Sequence, residues 1–206
     1  MKRIIFGLMG IVLLCCASSQ ANILVSFNFD NSTGNASAVA AGLAATPFAT
    51  AVGSANWLDH SGNGKAIGAA GFVSSGNYFT FMLTVAAGYQ LNVTGLQFDD
   101  KKEQGMNASQ WRADYKVGNG SFFNGPTGDV HGHNDWGADD KTLSGLGNLQ
   151  NTTLTFHLAP TDASNNNKNW YLDNVIINGT VMAIPEPTTV ALLGLGAMAL
   201  MRSRKK

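Results

Sequence analysis

The stretch YFTFMLTVAAGYQLNVTGLQFDD, residues 78–100, decides the fold. In its first half, Phe79, Phe81, Leu83 and Val85 alternate with the more polar set of Tyr78, Thr80, Met82 and Thr84. A period of two is that of a β-strand with one buried face. Gly88 allows a turn, and a second apolar run from Leu91 to Phe98 follows. This stretch therefore predicts two half-buried strands.

The same period recurs along the rest of the chain, at 23–30, 111–117, 154–158 and 169–182. In the first of these runs, Ile23, Val25, Phe27 and Phe29 share the predicted buried face. Turn residues recur too often for a long helix. About eight short strands without a long helix predict an all-β fold, a single β-sandwich whose long connections favour a jelly roll.

Three stretches lack this alternation. Residues 31–52 predict a long loop or edge, with a helical turn around 38–44, and 99–104 predict a solvated loop. The Gly-, Asp- and Asn-rich stretch 118–147 predicts irregular structure, and a loop of that length is usually functional or disordered.

The N-terminus predicts a signal peptide over residues 1–21. Lys2 and Arg3 precede an apolar run, and Ser19-Gln20-Ala21 supplies the small residues at which signal peptidase would cleave, after Ala21. Both cysteines lie within this leader. The exported domain would therefore contain no disulfide, so its core or a metal must stabilise it.

The C-terminus combines a short motif, an apolar segment and a basic end. Pro185, Glu186 and Pro187 precede an apolar run over 190–201, and the cations that follow are Arg202, Arg204, Lys205 and Lys206. A permanent membrane helix needs about 20 apolar residues, so this segment is a marginal anchor. The cations would hold its end in the cytoplasm until a protease acts. An uncut tail anchor is the alternative.

This tail resembles the PEP-CTERM sorting signal of Gram-negative bacteria. The resemblance implies that an exosortase recognises and cleaves residues 185–206 during export, so the protein reaches the cell surface or extracellular space after transient anchoring in the membrane. The family's association with exopolysaccharide production implies, by analogy, a role in a matrix or biofilm. The expected organisation is a signal peptide (1–21), a β-sandwich domain (22–184) and a sorting signal (185–206).

The charge of the expected domain limits its partners. The whole chain has no net charge, but residues 22–184 contain seven Lys and Arg against twelve Asp and Glu, a net charge of −5. Nucleic acid binding rewards clustered cations, so the composition argues against it. A neutral or calcium-bridged extracellular polysaccharide fits better.

The predicted strands also resemble jelly-roll domains that accompany PEP-CTERM signals and, more loosely, carbohydrate-binding modules. The resemblance lies in the first strand, ILVSFNFD, the central stretch, YFTFMLTVAAGYQLNVTGLQFD, and the last strand, WYLDNVIINGT. The first and last strands of such folds commonly lie side by side, which would bring Asp30 near Asp173. Several such modules hold a structural calcium there, so the resemblance implies a calcium site at Asp30 with Asp173 or Asn174. The alternative is that Asp173 caps a turn. No cofactor is otherwise expected.

The segment HGHNDWGADD, residues 131–140, is chemically the richest. An exposed Trp136 would stack on a sugar ring while Asp135 and Asn134 bond to its hydroxyls. Two alternatives stay open. Trp136 packs on its own sheet, or the histidines and aspartates of 129–140 bind zinc or calcium.

No catalytic motif selects a residue: there is no GxSxG elbow, and nothing singles out the two facing carboxylates that a glycosidase needs. The sequence therefore predicts a non-enzymatic surface or matrix protein with weak carbohydrate binding. The alternatives are a purely structural surface protein without glycan specificity and a small polysaccharide-acting enzyme.

Overall fold

The computed structural model describes residues 22–184, except 61, 63, 73–75 and 165–166, together with Leu195. The predicted signal peptide, its cleavage site at Ala21, and the residues of the sorting motif and basic end lie outside the described residues. Within this part of the chain no helix has the length and apolarity to cross a membrane.

Fourteen β-strands lie in the described residues. They are β1 (Asn22–Phe27), β2 (Ala38–Val39), β3 (Leu43–Ala45), β4 (Ala49–Thr50), β5 (Asn56–Asp59), β6 (Lys65–Ala70), β7 (Phe79–Val85), β8 (Tyr89–Lys102), β9 (Gln110–Val117), β10 (Phe123–Asp129), β11 (Gly137–Thr142), β12 (Leu149–Gln150), β13 (Thr153–Pro160) and β14 (Asn169–Ala183).

The strands form two antiparallel sheets. Sheet 1 has the order β11-β8-β14-β1-β2, with β12 beside β8, β6 beside β14 and β5 beside β6. Sheet 2 has the order β10-β9-β13-β7-β3, with β4 beside β7. The first and last strands, β1 and β14, are direct neighbours, as expected. The prediction of an all-β, jelly-roll-like sandwich is confirmed.

Apolar side chains from both sheets fill the space between them. The four alternating apolar residues of β7 are buried, as predicted. Phe27 of sheet 1 packs against Phe81 of sheet 2, with 5.1 Å between ring centroids, and Phe48 contacts both. Trp111 and Trp170 are fully buried. Burial of apolar surface is the main force that holds the sheets together.

Two predictions for the irregular stretches are wrong, and a third holds in part. Residues 118–147 contain β10 and β11, which pair with β9 and β8. Residues 31–52 are mostly loop with three short strands, two of which end their sheets, as expected for a loop or edge, but they contain no helical turn. The expected loop at 99–104 begins inside β8, which continues to Lys102 and buries Asp100. Backbone pairing with a neighbouring strand, rather than side-chain alternation, makes these segments extended.

The long strand β14 defines the two ends of the sandwich. At one end Ala183 pairs with Tyr89 and Asn22 pairs with Gly179, so both ends of the described domain lie there; we call it the tail end. At the opposite end, the far end, Asp173 pairs with Asp99. The start of β7 also lies at the far end, because the Phe79 and Trp170 rings are in contact.

Candidate functional site

The outer face of sheet 2 carries polar and aromatic side chains along its three central strands. Because alternate residues of these strands point into the core, their other residues share the outer face. His157 of β13 stands between Thr80 of β7 and Asp114 of β9 in the strand register. Arg112 and Lys116 lie before and after Asp114 on β9. The face thus presents charged and hydroxyl groups next to an imidazole.

His157 contacts two aromatic rings on this face. Its ring centroid lies 3.5 Å from that of Tyr78 and 4.1 Å from that of Phe122, and both pairs are stacked. Burial lowers the pKa of His157 to about 4, against an upward effect of Asp114. The imidazole is therefore neutral at pH 7, and the three rings form a largely apolar surface, which we call the aromatic cluster.

A cleft of about 250 Å³ lies beside the aromatic cluster, walled by Tyr78, His157, Arg112 and Asp114. The Arg112 Nη2 atom donates to Asp114 Oδ2 over 2.8 Å, and its Nε atom lies 2.7 Å from Oδ1. One hydrogen bond and a second contact at ion-pair distance hold the guanidinium against the carboxylate, and the two charges offset each other. The cleft thus combines an aromatic wall with a paired guanidinium and carboxylate.

A second, more open depression of about 620 Å³ lies on the same face toward the tail end. Its lining includes Lys116, Asn119 and Asn151 together with several threonines of β7 and β13. The two recesses follow one another along β13 and β9. Together they give the outer face of sheet 2 an extended run of hydrogen-bonding groups.

The residues predicted to bind calcium lie near each other at the far end. Asp173 is fully buried: its Oδ2 atom bonds to His60 Nδ1 at 2.6 Å, and its Oδ1 atom accepts the Asn174 amide N–H at 2.7 Å. The Asn174 side-chain amide donates to Asp99 over 2.8 Å. Asp30 lies against Gly64, whose carbonyl accepts the His60 amide N–H.

The carboxylate oxygens that would bind calcium, those of Asp173 and Asp30, are already bonded to nitrogen atoms of the protein. Burial raises the pKa of Asp173 to about 6, although its bond to His60 acts in the opposite direction. The Asp30 carboxylate accepts the side-chain amide of Asn28 over 2.6 Å. A calcium ion would have to displace these donors, because it is bound by oxygen atoms. Calcium binding stays a prediction, which melting in calcium and in chelator would test.

Trp136 reaches the same group of residues. Its ring stacks on His60, with 4.0 Å between centroids, so the residue predicted for sugar stacking and the aspartate predicted for calcium share one neighbour. Asp135 and Asn134 are exposed beside it. Sugar binding by these three residues stays a prediction. His60 itself carried no sequence signal, because its partner Asp173 is 113 residues away.

A third cluster joins Asp100, His131 and Asp139, whose potential ligand atoms lie within 4.8 Å of one another. Asp100 accepts the Trp170 indole N–H at 2.8 Å and also bonds to the His131 ring, while Asp139 accepts the Trp111 indole N–H at 3.0 Å. Burial raises the pKa of Asp100. With both carboxylates already satisfied, this cluster fastens the 131–136 loop to the core.

Comparison with known families identifies the tail. The PEP-CTERM protein-sorting motif matches residues 183–205, which confirms the predicted sorting signal. The motif implies processing by an exosortase and a secreted surface protein that is transiently anchored in the membrane. No curated protein matches the chain.

Solved structures to which this chain is similar include carbohydrate-binding modules. The tandem family 22 modules of Xyn10C from Paenibacillus barcinonensis match with a TM-score of 0.51 and 17% identity, covering 83% of this chain and 48% of theirs. The xylan-binding first module alone matches at 0.46 and 14%, covering 82% and 100%. A Clostridium thermocellum xylanase 10B structure, complexed with xylohexaose, matches at 0.49 and 9%, covering 81% and 30%. The chain thus spans about half of the first of these structures. At these identities the likeness shows the fold alone.

Proposed function

We propose that this is a non-enzymatic surface protein of a Gram-negative bacterium that binds extracellular polysaccharide through the outer face of sheet 2. The observation that carries the proposal is the aromatic cluster of Tyr78, His157 and Phe122 beside the 250 Å³ cleft. Aromatic rings stack on the apolar faces of sugars, and neighbouring polar groups bond to the hydroxyls.

The shape of the face favours a polymer over a small sugar. Two recesses follow one another along the same strands, so an extended chain can contact both. The similarity of the fold to carbohydrate-binding modules supports the same function. Attachment to an exopolysaccharide matrix or biofilm would follow from surface sorting combined with glycan binding.

The predicted loop site at Trp136 is the competing location, and substitutions separate the two. The processed protein is titrated with a polysaccharide panel, with calcium and with chelator, as wild type, Tyr78→Ala and Trp136→Ala. We expect Tyr78→Ala to lose at least tenfold in affinity, because it removes one wall of the cleft, and Trp136→Ala to keep binding. The reverse pattern would place the site in the loop.

Two further results would contradict the proposal. A folded wild-type protein that binds no polymer of the panel is a structural surface protein. Release of reducing ends from a polymer would make it a polysaccharide-acting enzyme.

A further inference from the structure

We propose that the bound polysaccharide is anionic, and that Lys116 pairs with its acidic groups in the depression at the tail end of the sheet 2 face. This inference rests on the proposed function, because it concerns the same face. The ligand's charge is a separate property, because similarity of fold does not indicate whether a bound polysaccharide is neutral or acidic.

Lys116 is the only charged residue among the described residues that line this depression. The rest of the lining is neutral and includes Thr84, Thr153 and Asn151, whose hydroxyl and amide groups suit sugar hydroxyls. A single cation within a neutral, hydroxyl-rich recess suits an anionic sugar better than a neutral one.

The Lys116 ammonium has no protein counter-ion in the described part of the chain. Lys65, Lys141 and Lys168 each lie close to a carboxylate, whereas no described carboxylate is at ion-pair distance from Lys116. Its Nζ atom instead lies 5.1 Å from the centroid of the Phe122 ring. This contact attracts the ammonium to the aromatic cluster without neutralising it.

The distribution of acidic residues explains why an acidic domain can bind a polyanion here. The carboxylates of β8, β11 and β14 belong to sheet 1, on the other side of the sandwich: Asp99, Asp100, Asp139, Asp140 and Asp173. On sheet 2, Asp114 is paired with Arg112, and Asp129 lies at the far end of β10, opposite Gln110. No described carboxylate therefore neutralises the positive charge of Lys116 at the tail end of the sheet 2 face.

The strand register places Lys116 close to the aromatic cluster. Lys116 pairs with Thr155 in the strand register, one outward-facing position beyond the pairing of Asp114 with His157. Outward-facing positions on a strand are about 7 Å apart. A polymer stacked on the aromatic cluster would therefore bring a neighbouring sugar to Lys116.

The test compares matched polymers that differ only in charge. The processed protein is titrated at low salt with polygalacturonate and with its carboxyl-reduced form, and with a sulfated galactan and its desulfated form. We expect the wild type to bind at least one acidic polymer about tenfold more tightly than its neutral counterpart, with a preference that fades as salt rises. The two pairs distinguish uronate carboxylates from sulfate esters.

Three variants assign the preference to Lys116. Lys116→Met keeps the length of the side chain and should remove the preference while neutral binding persists. Lys116→Arg and Lys65→Met, the latter a lysine of sheet 1, should keep it. Equal wild-type binding to acidic and neutral forms, or an unchanged preference in Lys116→Met, would overturn this inference alone. Absence of binding to every polymer would overturn the proposed function as well.

Discussion

His60 and Asp173 form a bonded pair inside the far end of the sandwich, and both side chains are almost completely buried. A buried pair of this kind stabilises the fold by less than its Coulomb attraction suggests, because both groups lose their hydration. Removal of one partner is much more costly, since the other is then buried with an unpaired polar group. The stacking of Trp136 on His60 also depends on this pair, since the bond to Asp173 fixes the imidazole ring.

We therefore expect Asp173→Ala to lower the free energy of unfolding by about 3–5 kcal/mol. The matched control is Asp59→Ala, which breaks the exposed contact with Lys65 and should cost less than about 1 kcal/mol. Chemical denaturation of both variants measures the difference. Equal losses in the two variants would show that the buried pair contributes no more than a surface contact.

The pKa of His157 predicts a dependence of stability on pH. Burial lowers this pKa from 6.5 to about 4, so between these values the unfolded chain binds a proton that the folded chain does not. The stability that His157 contributes is therefore present above pH 6.5 and is lost as the pH falls toward 4.

Unfolding of the wild type and of His157→Gln at pH 7 and pH 4.5 measures this effect. The wild type should lose more stability between the two pH values, because the variant lacks the titrating imidazole. Other groups titrate in both proteins, so the difference isolates His157. A loss of the same size in His157→Gln would contradict the assignment.

Sequence reasoning selected some of the residues that meet in the structure but not their partners. Trp136 and Asp173 were candidates because of their residue types and positions, whereas His60 connects them only through the fold. The alternation of residues 78–85 places Tyr78 on the face opposite the core, but its stacking on His157 depends on the order of strands in sheet 2. An alternating pattern carries no information on that order.

At the scale of single elements, bulges explain where the alternating pattern fails. The register between β14 and β8 shifts between Asp173 and Ile176, where Asn174 has a φ of 48°. Leu172 and Asp173 are consecutive and both buried, which a regular strand does not allow. The bulge therefore turns Asp173 toward His60. A similar shift in β1 exposes Ile23 and buries Leu24, contrary to the predicted face.

The second register shift of β14 lies at Gly179, where neighbouring strands come close. A Cβ atom there would lie 2.1 Å from the Asn92 carbonyl oxygen and 2.7 Å from the Leu24 side chain. We expect Gly179→Ala to cost about 2 kcal/mol or more, because the backbone must move to make room.

Gly132→Ala is the control, since a Cβ atom at this position would have no neighbouring atom within 4 Å among the described residues. This substitution should change stability by less than about 0.5 kcal/mol. Thermal or chemical unfolding of both variants provides the comparison. A tolerated alanine at 179 would show that the two strands are not in close contact there.

At the scale of the whole molecule, the sorting motif implies that the domain is delivered to the surface. Replacement of Pro185, Glu186 and Pro187 by alanine should prevent recognition by the exosortase, because the motif is lost while the apolar segment and basic end remain. Fractionation of cells that express the variant should show a larger, uncut form in the membrane. The processed mass and the usual location in the variant would contradict this role of the motif.

The sequence predicted the class of the fold better than its arrangement. Alternation in β7 and in parts of β8, β9, β13 and β14 was enough for an all-β sandwich, because each such strand needs a second apolar layer. The edge strands β10 and β11 were missed, since they are rich in Gly, Asp and Asn and are ordered by their neighbours. The assignment of strands to the two sheets depends on long-range pairing, which alternation does not encode.

The long central strand β14 also has a mechanical consequence. It is 15 residues long, about 50 Å at the usual rise of a strand, and it leads directly into the sorting tail. If the tail is held and a polymer pulls on the far end, the load acts along β14, parallel to its length. Its bonds to β8 and β1 are then loaded together in shear rather than broken one after another. As long as the tail holds the domain, this arrangement would resist unfolding under a force applied between the tail and the far end.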